Sequence, residues 1–155
     1  MYKKILVAID ISATGDRIFD TALNLAKIDN SNLMLVHILS EEAEESPISF
    51  WTISTFAYNP EMIKEYNQLW EKFEKECLQV LHSKANIGKD AGFQTEFTQL
   101  RGNPGQEICK LAQEWNADLI VMGRRGHSIL SEIVLGSVSS YVIHHAHCSV
   151  HIVQD

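Results

Sequence analysis

Two rhythms of apolar and polar positions take turns along this chain. A continuous apolar run of strand length occupies residues 5–9, residues 33–39 are apolar but for His37, and a shorter run follows at 119–122. Runs without internal alternation predict strands buried on both faces, as in a parallel sheet covered by helices. Residues 93–100 are more polar, as an edge strand would be, and 149–153 form a short fifth strand. Between these runs the apolar spacing turns helical. Ile18, Phe19, Ala22, Leu23, Leu25 and Ala26 predict a first helix behind a turn at 11–15. A long second helix is expected from Glu61 to about Asn86, with Tyr66, Leu69, Phe73, Cys77 and Leu81 on one side and Gly88 and Gly92 as its breakers. Ile108, Leu111, Ala112 and Trp115 give the third helix a buried face, with Asn103 as its cap and Pro104 at its first position. A last helix is expected from Ser131 to about Ala146.

Strands that alternate with helices throughout predict an α/β fold, a doubly wound parallel sheet with helices on both faces. In such sheets ligands bind beyond the carboxyl ends of the strands, where strand order reverses. The pattern does not fix that order. One segment stands outside the rhythm, an insert over 41–60 after the second strand. Its first part is acidic and broken by Pro47; its second is aromatic, with Phe50, Trp51, Phe56 and Tyr58.

The stretch with most chemistry follows the fourth strand: Gly123, Arg124, Arg125 and Gly126, then Gly136 with Ser137 behind it, a G-x2-G-x9-G-S spacing. Glycines where a strand ends let the backbone turn with positive φ and let a ligand approach the amides. Amides at a helix start, with the helix dipole behind them, favour anionic groups, and the Ser137 hydroxyl adds a donor. Both readings of this spacing, a phosphate site and a loop with turn and packing glycines, fit the residues alone. Neither a phosphate-loop G-x4-G-K-[ST] nor a G-x-G-x-x-G after the first strand is present.

Composition narrows the partners. Thirteen basic against twenty acidic residues give a net charge of −7, which disfavours broad attraction to nucleic acid or an anionic membrane. An anionic ligand would need a local positive site, which Arg124, Arg125 and the loop amides can supply. Cys77, Cys109 and Cys148 are scattered, as expected of thiols in a reducing compartment. With no apolar run of membrane-spanning length and no signal-type opening, a cytoplasmic protein of one domain over 1–155 is expected.

The glycine spacing, together with the opening Tyr2-Lys3-Lys4-Ile5-Leu6-Val7-Ala8-Ile9-Asp10, resembles the universal stress protein family in its ATP-binding subset, over nearly the whole chain. The resemblance implies a five-stranded sheet of order 3-2-1-4-5, like that of the adenine-nucleotide α-hydrolases, with Asp10 and Gly123 facing one crevice. It implies a nucleotide site made by Ala8, Ile9, Asp10, Ile38, Met122, Gly123, Arg125, Gly126, Gly136, Ser137 and Val138. ATP is the implied ligand, with ADP and AMP as alternatives and Mg2+ as the accompanying ion. Asp10 would take the ribose hydroxyls or hold the ion through water; by its residue type alone it could equally cap the turn that follows. The resemblance also implies a homodimer through the strand at 149–153, an edge without lysine, proline or internal acid. The chain departs from the family pattern at Ser149 and His151.

Efficient ATP hydrolysis needs cations on the transferring phosphoryl group and a residue that orients water. No lysine stands where a phosphate loop would put it, so nucleotide binding with slow or no hydrolysis is expected. The alternative is a nucleotide-independent interaction protein, like the family branch that lacks the glycine motif. A phospho-accepting receiver is excluded by chemistry: the third strand ends Leu100-Arg101-Gly102 and the fifth Val153-Gln154-Asp155, without the required aspartate and lysine. His144, His145, His147, Cys148 and His151 are dense enough to suggest a metal site. Histidines near a helix end suit the dipole equally well, and no metal is expected.

Overall fold

A computed structural model describes residues 1–41, 46–47, 59–124 and 135–154. Its elements are β1 (Lys4–Ala8), α1 (Ala13–Asp29), β2 (Asn32–Leu39), α2 (Pro60–Asp90), β3 (Thr95–Arg101), α3 (Pro104–Trp115), β4 (Leu119–Gly123), α4 (Ser137–His145) and β5 (Ser149–Val153). The strands form one sheet of order β3-β2-β1-β4-β5, parallel throughout. Strand order reverses between β1 and β4, whose register pairs Ile5 with Leu119 and Val7 with Val121.

The apolar runs fill two separate cores, one on each face of the sheet. Ile5, Val7, Leu33, Leu35 and Val121 meet Ile18, Phe19 and Ala22 of α1 and Leu81 and Ala85 of α2. Leu6, Met34, Val36, Ile38, Ile120 and Met122 point the other way, onto Ile108 and Ala112 of α3 and Val142 of α4. Alternate residues of each central strand therefore enter different cores. That is why these strands carry no polar alternation. The edge strand β3 is only half-buried.

Helix ends explain where the observed elements depart from expectation. Helix α1 begins at Ala13, inside the expected turn, with Ser12 as its N-cap. Asn103 caps α3 by accepting the Gln106 amide at 3.2 Å, with Pro104 in the first turn. Helix α2 runs through Gly88 because that residue is a packing glycine. A Cβ there would meet Thr95 Oγ1 of β3 at 2.4 Å. The helix stops at Gly92, whose φ of 92° sets up a Schellman closure, with amides donated from Gly92 to Lys89 and from Phe93 to Gly88. That closure uses Phe93, so β3 starts two residues later than its apolar pattern suggests. Asn30 and Asn116 end α1 and α3 in left-handed conformations. The aromatic residues Phe50, Trp51, Phe56 and Tyr58 of the insert lie outside the described residues.

One buried cation joins the two helices of the first face. Lys84 of α2, 8% exposed, donates to Asp16 of α1 at 2.5 Å and lies over the Phe19 ring, 5.2 Å from its centroid.

Candidate functional site

The carboxyl ends of β1 and β4 open side by side, and the expected site residues that are described gather at that end of the sheet. Ala8 closes β1; the Ile9 amide donates to the Val36 carbonyl at 2.9 Å, so the chain remains sheet-like up to Asp10. Ile38 and Met122 lie near the ends of β2 and β4, both buried in the core beneath α3 and α4. Ile38 thus offers the site its backbone, its side chain being committed to packing.

Asp10 and Gly123 are joined through the first turn of α1. A Cβ on Gly123 would stand 3.1 Å from Ile18 Cδ1 and 3.4 Å from Thr14 Cγ2. A Cβ on Gly15 would stand 2.2 Å from the Asp10 carbonyl oxygen. The turn is therefore wedged between the two strand ends. This corrects the reason for Gly123: close approach of α1, not a positive φ, because the glycines with positive φ among the described residues are Gly92 and Gly102.

The far end of the glycine loop is equally fixed. Arg124 leaves β4 with its amide donating to the Val153 carbonyl at 3.0 Å. Its carbonyl accepts from the Gly136 amide at 3.2 Å and from the buried Ser139 hydroxyl at 2.8 Å. Gly136 is the N-cap of α4, at φ −62° and ψ 162°, and residues 135–136 are not helical. The last helix therefore starts at Ser137, six residues later than expected. Helix α4 has no side-chain cap, since glycine cannot provide one. Ser137 and Val138 follow as its first residues, with Ser137 exposed, and the N-cap itself offers the opening amides no side-chain acceptor. Arg125, Gly126 and the neighbouring His127 lie outside the described residues.

Two residues of this region escaped the sequence reading: Ser12, whose hydroxyl donates to Asp10 Oδ1 at 2.5 Å, and Ser139. A serine just before a helical run signals a cap, which would have found Ser12. Nothing in the pattern marks Ser139.

The histidine-rich end behaves as a helix terminus. His144 and His145 place Nδ1 at 2.7 and 2.8 Å from the carbonyls of Ser140 and Tyr141, and His145 stacks on Tyr141 at 4.0 Å between centroids. Among the described residues no three His, Cys, Asp or Glu side chains are grouped to hold a metal ion. Burial pushes the Cys109 thiol above its ordinary pKa; it does the same for Cys148, aided by the nearby Cys109 and Asp118. Among the described residues no helix is long and apolar enough to cross a membrane.

Sheet order, with its reversal between β1 and β4, defines a doubly wound α/β protein. The profile of the universal stress protein family matches residues 1–154, and the chain belongs to that family. It is 37% identical to universal stress protein Sll1388 of Synechocystis, over 99% of this chain and 98% of the relative. It is 33% identical to YxiE of Bacillus subtilis, over 99% and 100%. The solved structure of MJ0577 from Methanocaldococcus jannaschii superposes with a TM-score of 0.76 at 26% identity, covering 100% of this chain and 97% of that one. Two further universal stress proteins share the fold. One was solved with cAMP (TM-score 0.65, 23% identity, 99% and 97% covered) and one, from Archaeoglobus fulgidus, with dAMP (0.65, 22%, 97% and 97%).

Proposed function

We propose that this chain binds an adenine nucleotide, ATP foremost and ADP or AMP in its place, at the carboxyl ends of β1 and β4. The carrying observation is the start of α4: a glycine N-cap, pinned by Arg124 to the end of β4, that leaves the first helical amides to an anion. Such amides, with a helix dipole behind them, suit phosphate oxygens. Asp10, across the crevice at the end of β1, suits ribose hydroxyls, or Mg2+ held through water. The ion would arrive on the phosphates, because a single carboxylate is a poor cage for it. That universal stress proteins of this fold were solved with cAMP and dAMP supports the adenine choice.

In this reading binding is the activity and hydrolysis is slow or absent. The nucleotide acts as a state marker in a cytoplasmic stress-response protein that dimerises through β5. The test is thermal melting with Mg-ATP. Ligand at a hundred times its dissociation constant stabilises by about 2.7 kcal/mol, a shift of roughly 5–10 °C for a domain of this size. No shift at saturating Mg-ATP would leave a nucleotide-independent interaction protein as the better reading.

A further inference from the structure

Among the described residues the Ser12 hydroxyl meets Asp10 and Gly15, and the distances rank the two contacts. It stands 3.4 Å from the Gly15 amide, beyond the 2.7–3.2 Å of an ordinary N–H···O bond. That amide is already satisfied by the Ser12 carbonyl at 3.0 Å. The hydroxyl donates instead to Asp10 Oδ1 at 2.5 Å, the short contact of a charge-assisted bond. Ser12 is thus only a weak side-chain cap for α1, and its strong partner is the carboxylate. Gly15 reinforces this arrangement, since a side chain there would collide with the Asp10 carbonyl and stand 2.9 Å from Oδ1.

We infer that Ser12 is a positioning residue for the nucleotide, holding Asp10 Oδ1 so that Oδ2 faces the ligand. This rests on the nucleotide reading above and deepens it. An ionised carboxylate has lone pairs on both oxygens. Tying one of them removes side-chain freedom that binding would otherwise have to quench, and aims the other at the crevice.

The test is Mg-ATP affinity by calorimetry for the wild type, Ser12→Gly, Ser12→Thr, Asp10→Ala and the double variant Ser12→Gly/Asp10→Ala. Glycine is tolerated at N-caps nearly as well as serine, so Ser12→Gly removes the hydroxyl and keeps the helix. It should weaken ATP about tenfold, as loss of a hydrogen bond to a charged group does. Ser12→Thr, which keeps the hydroxyl, should restore binding. In the Asp10→Ala background Ser12→Gly should change affinity by less than about twofold, because the group it positions is gone. A Ser12→Gly protein that binds as the wild type does, or an equal loss with and without Asp10, overturns the inference while leaving the nucleotide reading intact. A wild type that binds no ATP overturns both.

Discussion

The Gly136 amide donates to the Arg124 carbonyl across 3.2 Å, joining the residue that leaves β4 to the residue that caps α4. Twelve positions apart in sequence, the two close the base of the glycine loop, and Ser139 binds the same carbonyl from within α4. Ser139, 1% exposed, divides its proton between Arg124 and Gly136 carbonyls at 2.8 and 3.1 Å. Ser139→Ala should cost about 1 kcal/mol, or roughly 2–4 °C in melting temperature. It should also weaken Mg-ATP by loosening the start of α4. Melts with and without Mg-ATP separate the effects; an undiminished ATP shift would assign Ser139 to stability alone.

A substitution that helps the helix should harm the ligand. The φ and ψ of Gly136 are open to any residue. Gly136→Asp would supply the missing cap at a buried position, so the ligand-free melt weighs the gain of a cap against the cost of burying a carboxylate. The same carboxylate would occupy the amides meant for phosphate and repel it, so the Mg-ATP shift should vanish. A Gly136→Asp protein that keeps the full shift would place the phosphates elsewhere.

Much of this architecture was legible in the chain, for a physical reason. Strands buried on both faces must be apolar at nearly every position, so residues 5–9, and 33–39 apart from His37, stand out in the chain. Strand order was another matter: β1, β2 and β4 are equally apolar, and only the resemblance put β1 beside β4. Helix ends were misread wherever a small residue served its neighbour and not its own conformation. Gly88 looked like a breaker because its partner, Thr95, lies on another element. Apolar spacing that continues upstream predicts α4 from Ser131, whereas the helix begins behind Gly136. Ser139 is silent for the same reason, and Ser12 signals a cap but not its bond to Asp10, since a serine's role depends on which carbonyl or carboxylate folding brings to it.

The pair between Lys84 and Asp16 should respond asymmetrically. The Lys84 side chain is 10% exposed and that of Asp16 is 73% exposed. Asp16→Asn leaves the buried ammonium, among the described residues, with the Phe19 ring and a neutral amide, and should cost about 1–2 kcal/mol. Lys84→Met, which keeps the stem and discards the charge, should fall within about 1 kcal/mol of the wild type. Urea unfolding of the two variants measures this, and equal losses would contradict it.

The half-buried thiols give a pH-dependent expectation. Burial holds the pKa of Cys109 and Cys148 above the ordinary thiol value, so folding favours their protonated form. Their contribution to stability is full below the unfolded thiol pKa and is lost as pH rises from there through the higher folded value. At pH 8 both should react with iodoacetamide several-fold more slowly in the native protein than in urea, because the thiolate is the nucleophile. Peptide mass spectrometry after timed quenching reads each site; native rates equal to those in urea would refute the shielding.

The last expectation concerns the outer edge of β5, the proposed seam between two copies. Within β5 the Ser149 amide donates to the Asp118 carbonyl and the Val153 carbonyl accepts the Arg124 amide. Successive residues of a strand turn their backbone groups to opposite sides. Ser149, His151 and Val153 therefore face β4, and the amides of Val150 and Ile152 face outward. The His151 side chain is exposed in the single chain, clear of both cores. Val150→Pro removes one outward donor and leaves the ladder to β4 intact, a substitution that edge strands accept. If two chains pair along β5, the wild type should sediment as a dimer at micromolar concentration. Val150→Pro should then sediment as a monomer with an unchanged far-ultraviolet circular dichroism spectrum. A monomeric wild type ends the dimer proposal; a dimeric Val150→Pro protein moves the seam away from this edge.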